Sequence, residues 1–191
     1  FSNMELAWET LDEKIKEIEI GKGEVIKDGK DLAIIAFGSM VDPSMKTAAM
    51  LEESGISVAV INARFAKPID KNLIMEYAKK TGCIVTTEEH SLQGGFGSAV
   101  LEALQDFDEH IPLKTKCIGV PDIVVEHGAP GIIKKDLKLD PEGMFETICS
   151  FINVTISSKP NGNGAKPSSS NGKNDLKNDI KKSIATQTAN G

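Results

Sequence analysis

Four strand-like runs, each followed by a loop and a segment with helical spacing, constrain this chain more than anything else in it. The runs are Leu32 to Phe37, Ile56 to Ile61, Cys83 to Thr87 and Leu113 to Val120. The first is continuously apolar, as expected of a strand covered on both faces. Asp42-Pro43 reads as an N-cap with proline in the first turn of a helix that closes at Ser54-Gly55. Asp70 caps a second helix through Leu73, Ile74, Tyr77 and Ala78, and Gly82 stops it. A third runs from about Gly97 to Asp106. Asp140-Pro141 caps the last, with Met144, Phe145, Ile148, Cys149 and Ile152 on its apolar side. Strand and helix in alternation predict an α/β fold, a three-layer α/β/α sandwich around a mostly parallel sheet. Asp28-Gly29, between two β-prone runs, is a two-residue hairpin signal that adds one antiparallel strand.

The flanks differ from this middle. Residues 1–17 read as a linker or a short amphipathic helix, with Leu11 and Ile15 at i and i+4. A chain opening on Phe1 in this way reads as a fragment or a subunit of something larger. Residues 18–156 form the predicted domain. Residues 157–191 are Asn, Gly, Ser and Lys-rich, a predicted disordered tail with nothing to bury. That tail holds six lysines and two aspartates, so the formal charge of −6 conceals −10 on the residues before it. An acidic folded part argues against nucleic-acid binding, which calls for a basic face. No apolar run has the length of a membrane helix, so no membrane partner is expected. Cys83, Cys117 and Cys149 are odd in number, widely spaced and set among apolar residues. That pattern suits reduced, buried thiols in a cytoplasmic protein better than a disulfide or a zinc site.

The stretch from Ile84 to Val100 is the first candidate site: a strand, a polar turn, a glycine-rich bend and a helix. Open α/β sheets carry ligands at the carboxyl ends of their strands. Glu88 and Glu89 there could be an acid–base pair or metal ligands, with His90 beside them. Consecutive strand residues, however, point to opposite faces. The alternative has one carboxylate accepting from loop or helix amides while the other faces solvent. Gly94, Gly95, Gly97 and Ser98 resemble an anion loop before a helix, but neither a dinucleotide fingerprint nor a P-loop is present. Tight helix–sheet packing, or close approach of another subunit, is the alternative account of the glycines. Arg64, the sole arginine, either clamps an anionic ligand or pairs with an acid such as Glu88. His127, in Val-Glu-His-Gly, is either a ligand-facing base or a hydrogen-bonded loop residue. No serine nucleophile elbow occurs, and no complete active site is visible.

Three ordered motifs carry a resemblance: Asn62 to Asp70 (NARFAKPID), Val85 to Val100 (VTTEEHSLQGGFGSAV), and Gly119 to Asp122 with His127-Gly128. Together they resemble the C-terminal domain of 1-deoxy-D-xylulose-5-phosphate synthases, in the transketolase-like thiamine-diphosphate family. The resemblance implies a five-stranded mixed sheet with one antiparallel strand. It implies a parent enzyme that joins pyruvate to glyceraldehyde 3-phosphate with loss of CO2 in non-mevalonate isoprenoid synthesis. Thiamine diphosphate and Mg2+ would then be bound by N-terminal and central domains outside this chain, so no catalytic residue carries over. What carries over is a domain-packing and homodimer-contact role for Arg64, Glu88, Glu89, His90, the Gly94–Ser98 loop and His127. The alternatives are a stand-alone anion-binding or partner-docking module, and the C-terminal domain of a 2-oxoacid dehydrogenase or transketolase β-type subunit.

Overall fold

A computed structural model describes residues 17–107 and 111–153. Five strands form one sheet: β1 (Glu24–Lys27), β2 (Leu32–Ala36), β3 (Val58–Asn62), β4 (Cys83–Ser91) and β5 (Lys114–Val120). The spatial order is β1-β3-β2-β4-β5. β2, β3, β4 and β5 are parallel, and β1 runs antiparallel to β3 at one edge. Four α-helices pack on it, α1 (Val41–Glu53), α2 (Lys71–Thr81), α3 (Phe96–Gln105) and α5 (Pro141–Phe151), and α4 (Pro130–Asp136) adds no buried residue to the core.

The strands in the middle of the sheet explain why it needs two helical layers. Successive strand side chains alternate between faces, so Ile34 and Ile35 enter different cores although both are fully buried. Ile34, Val60 and Val85 pack with Leu51 of α1 and Ile148 of α5. Ile35, Ile61 and Ile84 pack with Ile74 and Tyr77 of α2 and Val100 of α3. Asp70 caps α2 by accepting from Leu73 N at 3.2 Å, and Asp140 caps α5 by accepting from Gly143 N at 3.0 Å. Gly82 ends α2 in the left-handed conformation, φ 62°, which glycine adopts without a Cβ penalty.

Three local expectations are corrected. Asp28-Gly29 does not close a hairpin, because β1 pairs with β3 rather than with β2. Gly29 is needed for contact instead: a Cβ there would lie 2.2 Å from the Val58 carbonyl carbon. Asp28 turns to α2, accepting from the Tyr77 hydroxyl at 2.8 Å and from Lys80 Nζ at 2.5 Å. Hydrogen bonds from Lys80, Tyr77 and the Gly29 amide hold its carboxyl down at about 2, while burial and that carboxylate push the Tyr77 hydroxyl up to about 12. The second correction concerns α1, which starts at Val41, so Asp42 lies inside its first turn and bonds Lys46 rather than capping the helix. The third is that β4 runs on past Thr87 to Ser91, through an irregularity in its pairing with β5.

The proposed N-terminal helix or linker and the proposed tail lie outside the described residues. Within them, no helix is long and apolar enough to cross a membrane.

Candidate functional site

The strand extension brings the two glutamates into a definite arrangement. Glu88 is fully buried and Glu89 is exposed, as alternation on a strand requires. The Glu88 carboxylate accepts from Phe96 N at 2.6 Å and Gly97 N at 2.8 Å. These are first-turn amides of α3, which have no carbonyl partner within the helix. A carboxylate at a helix N-terminus gains from charge-assisted hydrogen bonds and from the helix dipole. Glu88 therefore caps α3 from the preceding strand, across the glycine bend.

The bend is shaped around that carboxylate. A Cβ on Gly95 would fall 2.3 Å from Glu88 Oε2 and 2.2 Å from the Ser91 carbonyl oxygen. One on Gly97 would meet Cys117 Sγ and Thr86 Oγ1, each at 2.8 Å, so α3 can sit on β4 and β5 only with glycine there. Gly94 has φ +69°. Ser98 Oγ donates to the Leu92 carbonyl at 3.0 Å and accepts from Gly94 N at 3.2 Å. Three of the amides that made this stretch resemble an anion loop, those of Gly94, Phe96 and Gly97, are thus occupied by side chains of the same loop and strand.

Glu89 faces the other way. It pairs with Lys134 of α4 at 2.6 Å and accepts from the Ser39 hydroxyl, linking the ends of β2 and β4 to α4. His90 is exposed and lines a cleft of about 290 Å³ with Phe37, Ala66, Gly95, Phe96 and Ala99. Phe37 and Phe96 stack beneath it, ring centroids 4.9 Å apart. Sequence reasoning did not single out Phe37; its signal is an aromatic at the end of an otherwise aliphatic strand.

Arg64 is not brought to this site. It pairs with Glu24 of β1 at 2.5 Å, not with Glu88, because Glu24 stands opposite Asn62 at the end of β3 while Glu88 is buried against α3. His127 lies on an exposed loop and makes no hydrogen bond to another described residue.

Little in this arrangement can perform acid–base chemistry. The two glutamates diverge, and no cluster of three or more His, Cys, Asp or Glu side chains that could hold a metal occurs among the described residues. The three cysteines are free. Burial pushes the Cys83 thiol up to about 12 and the Cys149 thiol up to about 11, which leaves little nucleophilic thiolate at neutral pH.

Comparison with known proteins gives this geometry a context. Residues 21–144 match the family described as "Transketolase, C-terminal domain". The 1-deoxy-D-xylulose-5-phosphate synthase of Thermosynechococcus vestitus is 54% identical over 151 residues, which cover 79% of this chain and 22% of that protein. 1-Deoxy-D-xylulose-5-phosphate synthase 1 of Geobacter sulfurreducens is 46% identical over 142 residues, covering 74% of this chain and 22% of that one. The chain thus spans about a fifth of the length of these relatives. A solved structure described as "Split gene transketolase, inactive beta4 tetramer" superposes with a TM-score of 0.66 at 35% identity, over 73% of this chain and 45% of its own. Sheet order, helix placement and family match agree: this chain belongs to the transketolase C-terminal domain family.

Proposed function

We propose that this chain is the C-terminal domain of a 1-deoxy-D-xylulose-5-phosphate synthase, and that it serves packing and homodimer assembly while the chemistry lies elsewhere in the enzyme. The reaction would join pyruvate to glyceraldehyde 3-phosphate with loss of CO2. The observation that carries this reading is the 54% identity to such a synthase across four-fifths of the chain. The β4–α3 loop agrees with it, since Glu88 and Ser98 direct their polar groups at the loop's own backbone.

The family implies thiamine diphosphate with Mg2+, and the residues present do not fit that group. The α3 amides that could receive a diphosphate already hold Glu88, and the donor set for a divalent ion is missing among the described residues. Both observations support placing the cofactor on the N-terminal and central domains. The free thiols, of which those of Cys83 and Cys149 are buried, support a cytoplasmic location.

The isolated chain, given pyruvate, glyceraldehyde 3-phosphate, thiamine diphosphate and Mg2+, is expected to release no CO2. Co-expression with the preceding domains of a synthase is expected to restore turnover. Turnover by the chain alone would overturn the inert-domain reading. A second reading, the C-terminal domain of a transketolase β-type subunit, is favoured by the 35% identical split-gene structure. Rescue by a transketolase partner subunit, but not by synthase domains, would select it.

A further inference from the structure

Cys117 lies on β5, an edge strand of the sheet, directly opposite Thr86 of β4. Both side chains turn toward α3: Thr86 Oγ1 and Cys117 Sγ each lie 2.8 Å from the position that a Cβ on Gly97 would take. Thr86 is only 2% exposed, yet its hydroxyl has no hydrogen-bond partner among the described residues. A buried polar group left in this state is rare and costs free energy.

Access separates Cys117 from the other two thiols. Cys83 and Cys149 are fully buried. Cys117 is half-buried and lines a cleft of about 180 Å³ with Leu92, Ile118, Pro121 and Leu137. Lys116 and Lys138 line the same cleft, and cations beside a thiol favour its reactive thiolate form. An accessible sulfur, two lysines and an unpaired buried hydroxyl thus converge on one strand edge.

We propose that Cys117 is a site of reversible oxidation by hydroperoxides, and that the Thr86 hydroxyl holds the oxidised product. The thiolate attacks one oxygen of the peroxide, the O–O bond breaks and hydroxide leaves. The sulfur gives up two electrons to the peroxide and becomes a sulfenic acid. Its S–OH group supplies the polar partner that the Thr86 hydroxyl lacks beside the reduced thiol. A small thiol reverses the step: it condenses with the sulfenic acid to a mixed disulfide and water, and a second thiol frees Cys117 by exchange. The inference goes beyond the synthase reading and does not depend on it: it requires only the cleft, the thiol and the unpaired hydroxyl.

The test treats the full 191-residue chain with hydrogen peroxide in the presence of dimedone, which traps sulfenic acids, and maps the adducts by peptide mass. An adduct is expected on Cys117 and not on Cys83 or Cys149, and prior treatment with glutathione after the peroxide is expected to abolish it. Thr86→Val keeps the shape and removes the hydroxyl, and the Cys117 adduct is expected to fall about fivefold, the worth of one hydrogen bond. Thr86→Ser restores the hydroxyl and is expected to restore the adduct, with far-UV circular dichroism unchanged in both variants. Absence of a Cys117 adduct in the unmodified chain would overturn the proposal. Equal labelling of Cys83 and Cys149 would also overturn it, since oxidation would then follow unfolding rather than the cleft. A Thr86→Val chain that labels as fast as the unmodified one would overturn the role of the hydroxyl.

Discussion

The loops that follow β4 and β5 leave the same rim of the sheet and are built in opposite ways. The first closes on itself, with Glu88 on two α3 amides and Ser98 joining Leu92 to Gly94. Its glycines permit contacts that any side chain would block. The second exposes Ile123, Val124 and Val125, with Val124 95% exposed, and is tied back mainly through α4 and the Lys134–Glu89 pair. A buried polar group is costly when left unpaired, so the first loop is determined by its hydrogen bonds. The second has few such obligations, and its apolar tip is surface available to a neighbour. Sharing one rim does not give two loops one role.

The sharpest way to break this contrast is Glu88→Ala. Two buried amides lose their acceptor, and the expected cost is about 3 kcal/mol in urea unfolding. A loss below about 1 kcal/mol would mean that the carboxylate does not determine the loop. Gly95→Ala comes next, since its methyl must displace the carboxylate or the Ser91 carbonyl. Overpacking of this kind is expected to cost about 2 kcal/mol, read from the thermal midpoint. Ser98→Ala removes one half-buried and one exposed hydrogen bond and is expected to cost about 1 kcal/mol. Val124→Ser, in the other loop, is expected to change the stability of the isolated chain by less than about 0.5 kcal/mol. A large loss from Val124→Ser would show that the second loop is packed after all, and would erase the comparison.

Much of this was legible in the sequence, for identifiable reasons. Asp70, Gly82 and Asp140 act within one turn of their own positions, so the helix boundaries that they set can be read locally. The divergence of Glu88 and Glu89 follows from strand geometry alone, including the choice of an amide-bound carboxylate beside a solvent-facing one. The partner of Asp28-Gly29 could not be read, because hairpin chemistry is local while strand order is not. β3 lies between β1 and β2, and no residue of the turn encodes that insertion. That Arg64 pairs with an acid was legible, but which acid was not, for a related reason. Its nearest acid depends on which strand edge lies beside Asn62, and that edge is β1. Phe37 was passed over because a stacking partner 59 positions away in the sequence leaves no periodic trace.

The carboxylate of Glu88 can also be viewed as a ligand that the domain carries for itself. A free phosphate at the start of α3 would have to be supplied by solution and would come and go with its concentration. A carboxylate attached to the preceding strand cannot be diluted, and its effective concentration at those amides is set by the fold. The Phe96 and Gly97 amides are thereby already donating, whatever metabolites surround the domain. A glycine-rich turn before a helix is therefore an incomplete signal of anion binding. The eight residues upstream of the first helical amide must be searched for an acid that already fills the place.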